Sequence, residues 1–405
     1  MGLQLPQELI DMILDNIHDD IPSLMACSLA ARTFVHSART HIFKRIEITP
    51  PPDPLTSSNP CQRFHKLLSM SPYIAPLVED LSIVLVGPET SFDYDEDGYY
   101  LEERHVTWVM FGRTLSLVLP LLNLKRISLV ENAPIDWNGG GDYSMDWNKM
   151  GRQLKSALAK VFSSPRLEAV HLRGMVIESP CQLLSIFSEA TALKEMSLSR
   201  LYFTQRWDQR KLWPESQPWR PQLRSLLVAD VQSDSFCQYF VSPGIDLTHV
   251  NALTIATDSV EWRNKIMGGH ETWTLRWRRA SALLLIVLAL GSQDFFTANL
   301  RTIHVFSRWI FQLLDAILKT CPHDTHLEHI ILEGHAYILH MPSDPDFDAS
   351  IDASVDRLKC TLKTVEIRTI NSGSAFESFG GWEEAVHAAL PSLLRRGMLS
   401  VTETK

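Results

Sequence analysis

The sequence predicts an all-α N-terminal unit of three short helices, followed by an α/β solenoid, a horseshoe of irregular repeats. Two observations lead there. Residues 5–48 carry apolar side chains at helical spacing, interrupted by turn residues. Beyond residue 62 one pattern recurs nine times: an apolar residue, two others, an apolar, one other, an apolar. A third observation makes the prediction affordable. With 405 residues and 45% of them apolar, the chain can bury a sizeable core. The boundaries that follow are 1–48 for the helical unit, 49–62 for a proline-rich linker and 63–405 for the repeats.

In the first helix, over about 7–18, Pro6 suits the first turn because a missing N–H costs nothing there. Glu8 suits the positive end of the helix dipole. Leu9, Ile13 and Ile17 follow at i, i+4 and i+8, with Ile10 and Leu14 beside them. His18-Asp19-Asp20 breaks the pattern. Pro22 opens a second helix carrying Leu24, Cys27, Ser28 and Leu29. A third starts near Thr33 with Phe34, Ala38 and Ile42. Three short helices bury too little surface to be robust alone, so such a unit leans on a partner.

These residues resemble an F-box. The resemblance is carried by Leu5-Pro6-x-Glu8-Leu9-x-x-x-Ile13-Leu14-x-x-Ile17, then Leu24-x-Ala26-Cys27-Ser28-Leu29-x-x-Arg32-x-Phe34, then Phe43-Lys44-Arg45-Ile46. It is similar to the divergent F-box families of fungi and spans about 44 residues. It departs from them at Phe34, where members usually have Trp, and at Ala31, where they often have Cys. The alternative is a generic three-helix cap on the next domain.

Thr49–Pro60 holds five prolines in twelve residues, which excludes helix and central strand and predicts a stiff, extended spacer. The repeats then run Val78/Leu81/Ile83, Leu124/Ile127/Leu129, Leu167/Val170/Leu172, Leu193/Met196/Leu198, Leu223/Leu226/Val228, Val250/Leu253/Ile255, Leu300/Ile303/Val305, Leu327/Ile330/Leu332 and Leu362/Val365/Ile367. Several intervals fall near the unit of about 20–29 residues in which L-x-x-L-x-L marks a short strand. Helical stretches are expected between them at 150–162, 182–190, 278–290, 308–319 and 382–395. No repeat can bury its apolar face alone, so neighbours stack. This region resembles the irregular leucine-rich repeats that often follow F-boxes. An ordinary α/β sheet domain with strands of similar composition is the alternative.

Side chains alternate along a strand, so the residues between the buried ones share an outer face. On that face the candidate target-binding residues are Arg126, His171, Arg173, Glu195, His304, Phe306, His329, Glu333 and Arg368. Their mixture of charge and apolar surface suits a folded protein or a peptide. A net charge of −9 argues against wrapping nucleic acid, because neutralising phosphates takes Lys and Arg.

Motifs for chemistry are weak. Asp93-x-Asp95-x-Asp97-Gly98 begins like an EF-hand loop, but the twelfth position is Arg104 where a bidentate Glu is needed. A solvated acidic loop is the better account. His323, His326 and His329 lie close in sequence, yet the repeat places His329 on a strand, so no metal is expected. Gly139-Gly140-Gly141 lacks the Lys-Ser/Thr of a phosphate loop. No cofactor and no catalytic residue are expected. Six scattered cysteines without a C-x-x-C read as reduced thiols of the cytoplasm or nucleus. The longest apolar run, Ala282–Leu290, falls well short of the roughly 20 residues that span a bilayer. No secretory signal is visible at Met1–Pro6.

The F-box resemblance implies a non-catalytic, substrate-recognition subunit of an SCF-type cullin–RING ubiquitin ligase. It implies that Leu5, Pro6, Glu8, Leu9, Ile13, Leu24, Arg32 and Phe34 make or support the contact with a Skp-type adaptor. Ile13 and Leu24 have a second reading as mere core residues. The repeats would then hold an unknown protein target for ubiquitination. The alternative function is a leucine-rich-repeat protein-interaction scaffold with no ligase role. An enzyme with an unrecognised site is the third.

Overall fold

A computed structural model describes residues 5–50, 59–85, 113–131, 145–204, 219, 221–229, 249–256, 300–307, 310–321, 326–335, 346–358, 361–370 and 379–404. The N-terminal helices are α1 (Gln7–Asp15), α2 (Ile21–Ala30) and α3 (Arg32–Lys44). Next come β1 (Arg45–Ile48), α4 (Pro60–Met70), a 3-10 helix (Pro72–Leu77) and β2 (Asp80–Val84). They are followed by α5 (Thr114–Val118), β3 (Arg126–Val130), the two-residue β4 (Met145–Asp146), α6 (Arg152–Phe162) and β5 (Ala169–Ile177). Then come α7 (Pro180–Phe187), β6 (Glu195–Phe203), β7 (Ser225–Ala229), β8 (Ala252–Ala256) and β9 (Thr302–Phe306). The last elements are α8 (Ile310–Thr320), β10 (His329–His335), α9 (Phe347–Arg357), β11 (Thr364–Ile370), α10 (Phe379–Ala389), α11 (Pro391–Arg395) and β12 (Leu399–Thr404).

The strands form a single twelve-stranded parallel sheet ordered as in the sequence, with β4 alone off the path, paired to β5. This corrects the expected fold class, in which an all-α F-box module precedes a separate leucine-rich-repeat horseshoe. Helix α3 runs without a break into β1, and β1 pairs in parallel with β2, Arg45 opposite Asp80 and Ile48 opposite Ile83. The helices therefore lead into the same α/β sheet. Arg45–Ile48 is only four residues long, too short for its period of two to stand out, and its partner lies 35 positions away, at Asp80.

The chain divides into two compact units, 1–134 with 142–171, and 135–141 with 172–405. In the first, Ile10, Leu14, Leu24 and Ala38 form the core of the three helices, with Ile17, Cys27, Phe34 and Ile42 packed against it. Helix α4 packs on α5, and α5 on α6. In the second, α8 packs on β10 and on α9, while α10 and α11 lie against β12. All the apolar residues of the nine recurring triplets are buried. The second and third of each triplet lie on a strand and the first just before it, and burial alternates as expected along β3, β7, β8 and β9.

Boundaries differ from expectation where a local chemical signal went unread. Asn59 caps α4 by accepting from the Cys61 N–H at 2.8 Å, with Pro60 in the first turn. A helix thus begins inside the expected linker, because Pro is tolerated at the first helical position. The stretch 382–395 is two helices parted at Leu390, since Pro391 has no N–H to continue the first. Residues 51–58, the loop expected at 93–104, the Gly139–Gly141 run and the helix expected at 278–290 lie outside the described residues.

Candidate functional site

Helix α1 is apolar on both sides. Ile10 and Leu14, four residues apart, point into the small core and are fully buried. Leu9 and Ile13, one position earlier, point away from it and are 44% and 48% exposed, with Leu5 and Met12 also exposed. Helix α2 repeats the arrangement. Leu24 is buried, whereas Ile21, Met25 and Leu29, at i, i+4 and i+8, face outward, Leu29 with 86% of its surface exposed. Single exposed leucines are unremarkable, whereas here outward apolar rows recur on two consecutive helices, each packed on α3.

Polar contacts hold these helices in place. Asp20 caps α2, accepting from the Ser23 N–H at 3.1 Å and its hydroxyl at 2.6 Å. Those bonds hold the Asp20 carboxyl below its ordinary value. Asp11 on α1 accepts from the Ser37 hydroxyl and from Gln7 at 2.9 Å, and the same two bonds lower its pKa. His41 on α3 lies 3.0 Å from Asp15. Arg39 donates to the Tyr73 hydroxyl at 3.0 Å and its guanidinium lies 5.5 Å from the centre of that ring.

The adaptor-binding candidates accordingly separate into two sets. Leu5, Pro6, Glu8, Leu9, Ile13 and Arg32 are exposed. Leu24 is core, and Phe34 is half-buried against that core. Sequence reasoning missed Met12, Ile21 and Met25. The signal was present in the Ile21/Met25/Leu29 spacing, but Pro22 and Leu24 drew attention to the inner side of α2.

The second candidate is the outer face of the strands. Arg126 on β3 has its Nη1 3.8 Å from Asp80, which Arg45 Nε also approaches at 3.4 Å. His171 and Arg173 are half-buried on β5, and Glu195 is exposed at the start of β6. The other five candidates come together on three in-register strands, β9, β10 and β11, with Phe306 opposite Glu333 and Glu333 opposite Arg368. His304 Nε2 and Glu333 Oε2 are 2.9 Å apart. His329 Nδ1 is 2.8 Å from the Thr364 hydroxyl. Arg368 donates to Glu366 at 2.8 Å, and Thr402 on β12 donates to the same carboxylate at 3.1 Å. The Arg368 bond is the main cause of a lowered Glu366 pKa, and the carboxylate in turn raises that of Arg368. Thr364 and Thr402 belong to this cluster but carry no sequence pattern that ties them to it.

This face presents fixed, largely paired charges around half-buried Phe306 and Ile331, which suits recognition by complementary polar contacts. Among the described residues no set of three or more His, Cys, Asp or Glu side chains is placed to hold a metal ion. His326 and His329 are described, and His323 is not. Cys61 and Cys321 are buried free thiols, and burial pushes both up to about 12, which keeps them protonated and unreactive. Among the described residues no helix is long and apolar enough to cross a membrane. No protein-family model matches the chain, and no curated protein matches it.

Proposed function

We propose that the chain is a non-catalytic, substrate-recognition subunit of an SCF-type cullin–RING ubiquitin ligase, acting in the cytoplasm or nucleus. One observation carries this reading: two outward apolar rows, Leu9/Ile13 with Leu5 just before the helix, and Ile21/Met25/Leu29, on helices whose core holds four buried side chains. Covering those rows with a partner removes apolar area from water at about 25 cal/mol per Å². The F-box resemblance of the same residues names a Skp-type adaptor as that partner. Leu5, Leu9 and Ile13 make the contact, while Leu24 and Phe34 hold the helices that present it. The face of β9–β11 would then hold the protein target. The chain makes or breaks no bond itself; it raises the target's concentration near the ubiquitin-charged enzyme.

Co-purification with a Skp-type adaptor tests the reading. The chain retains the adaptor, and Leu5→Asp with Pro6→Ala, or Ile13→Asp alone, releases it without lowering the melting temperature. If wild type retains none, or if those variants retain it fully, the ligase reading is wrong and a protein-interaction scaffold takes its place.

A further inference from the structure

Helices α4, α5 and α6 of the first unit form one layer, α4 packed on α5 and α5 on α6. Each buries one side. Phe64 and Leu68 are buried on α4, Leu115 and Val118 on α5, and Leu154, Leu158 and Val161 on α6. The outer sides hold cations. Arg63 and Lys66 are exposed on α4, Arg113 just before α5, and Arg152 and Lys160, at i and i+8, on α6. No Asp or Glu occurs in 59–78, 113–124 or 147–167, the segments that build this layer. Among the described residues none of these five cations lies in an ion pair.

The helices of the second unit treat charge differently. On α8 Lys319 meets Asp315 at 2.7 Å, and Arg396, just after α11, meets Asp352 and Asp356 of α9 at 2.6 and 2.8 Å. One helical layer neutralises these cations, and the other leaves its own to solvent on a chain of net charge −9. Apolar side chains share the outer side of α4 and α5. Leu67 and Met70 stand at i+4 and i+7 from Arg63, and Leu117 and Leu121 at i+4 and i+8 from Arg113. All four are exposed, Met70 with 74% of its surface. Cations come first and apolar residues follow, with Met70 about 10 Å beyond Arg63 at the helical rise. Scattered surface cations are ordinarily just solvated. A layer with five of them, no acid and an apolar stripe alongside is complementary to a segment that carries both carboxylates and apolar side chains.

We propose that the outer side of α4–α6 docks a short acidic segment of a partner protein. Its carboxylates meet Arg63, Lys66 and Arg113, and its apolar residues cover the leucines and Met70 beside them. Anionic membranes and nucleic acids are the other polyanions that such cations attract. Both are extended, so they confront the whole net charge of −9, whereas a short segment samples only charges within a Debye length of about 10 Å. The apolar stripe also offers nothing to a phosphate backbone, which is read by Lys and Arg. The rows assigned to the adaptor lie on α1 and α2, so this docking requires neither an adaptor nor a ligase.

The test is fluorescence anisotropy with the full chain, in salt well below about 0.1 M. The probe is a labelled peptide of about twelve residues, with Glu and Asp in one half and Leu in the other. Saturable binding is expected, weakening as salt rises. Arg63→Glu with Lys66→Glu should weaken it by about tenfold or more, and Leu117→Ser by about threefold or more. Replacing the acids of the peptide by Gln and Asn should abolish binding. Arg224→Glu, a charge reversal at an exposed site of the second unit, should leave it within about twofold. Where the double reversal lowers the melting temperature, Arg63→Gln with Lys66→Gln replaces it and should weaken binding several-fold. Four results overturn the proposal: no saturable binding, full binding by the Arg63/Lys66 variants, equal weakening by Arg224→Glu, or tighter binding of an RNA oligonucleotide or of phosphatidylserine vesicles than of the peptide.

Discussion

The three N-terminal helices and the strands of the second unit solve one burial problem with opposite success. Leu327, just before β10, and Ile330 and Leu332 within it are all fully buried, and helix α8 adds Phe311, Leu314 and Ile317. In α1 and α2 only Ile10, Leu14 and Leu24 are buried, while seven large apolar side chains from Leu5 to Leu29 stay exposed. The strand region has used its apolar surface internally. The helices keep large apolar side chains outside their own core, and these are the rows that the proposed adaptor contact would cover.

The largest effect should come from the core of the second unit. Phe311→Ala empties a fully buried site and should cost about 4 kcal/mol, read from urea unfolding. Leu24→Ala should cost about 3 kcal/mol, again from a fully buried site. Its effect should be local: amide exchange should accelerate in α1–α3 and stay unchanged in β10 and β11. If both substitutions speed exchange everywhere, the contrast between the regions is false.

A strained backbone sits between these extremes. Arg200 in β6 has φ of +51°, a left-handed conformation that disfavours branched side chains, and Gly174 in β5 has φ of +74°. Arg200→Val should therefore destabilise by about 1–2 kcal/mol, while Arg200→Gly should be near neutral. Smaller still is the pH effect of Glu366. Its folded pKa is lowered, so its contribution is complete above the ordinary Glu range and is lost as pH falls through the lowered folded value. Glu366→Gln should flatten the acid limb of a stability–pH curve. The least effect on folding belongs to Leu29→Ser, within about 0.5 kcal/mol, because its side chain is already in water.

Legibility in the sequence followed the length and regularity of each signal. The nine triplets placed their strands correctly, because burial on one side imposes a period of two that three residues already display. Helices α1–α3 were legible for a similar reason. Strand β1 was not: four residues with a distant parallel partner leave no local mark, and missing it separated the helices from the sheet they enter. Among site residues, Leu9 and Ile13 were read with the apolar face of α1 without a way to tell inner from outer. Leu9/Ile13 and Ile10/Leu14 have the same spacing, and only packing on α3 chose which pair to bury.

Sequence alone determined nine of the strand segments, all but β1, β4 and β12, which of their residues face the core, and that α1–α3 are helices. These properties are local, set by side-chain period and backbone chemistry. Tertiary structure decided which strands are neighbours and therefore which charges meet. His304 meets Glu333, Arg368 meets Glu366, and Lys125 meets Glu79. Those pairings depend on register between strands distant in sequence, and register is fixed by the joint packing of many buried residues at once.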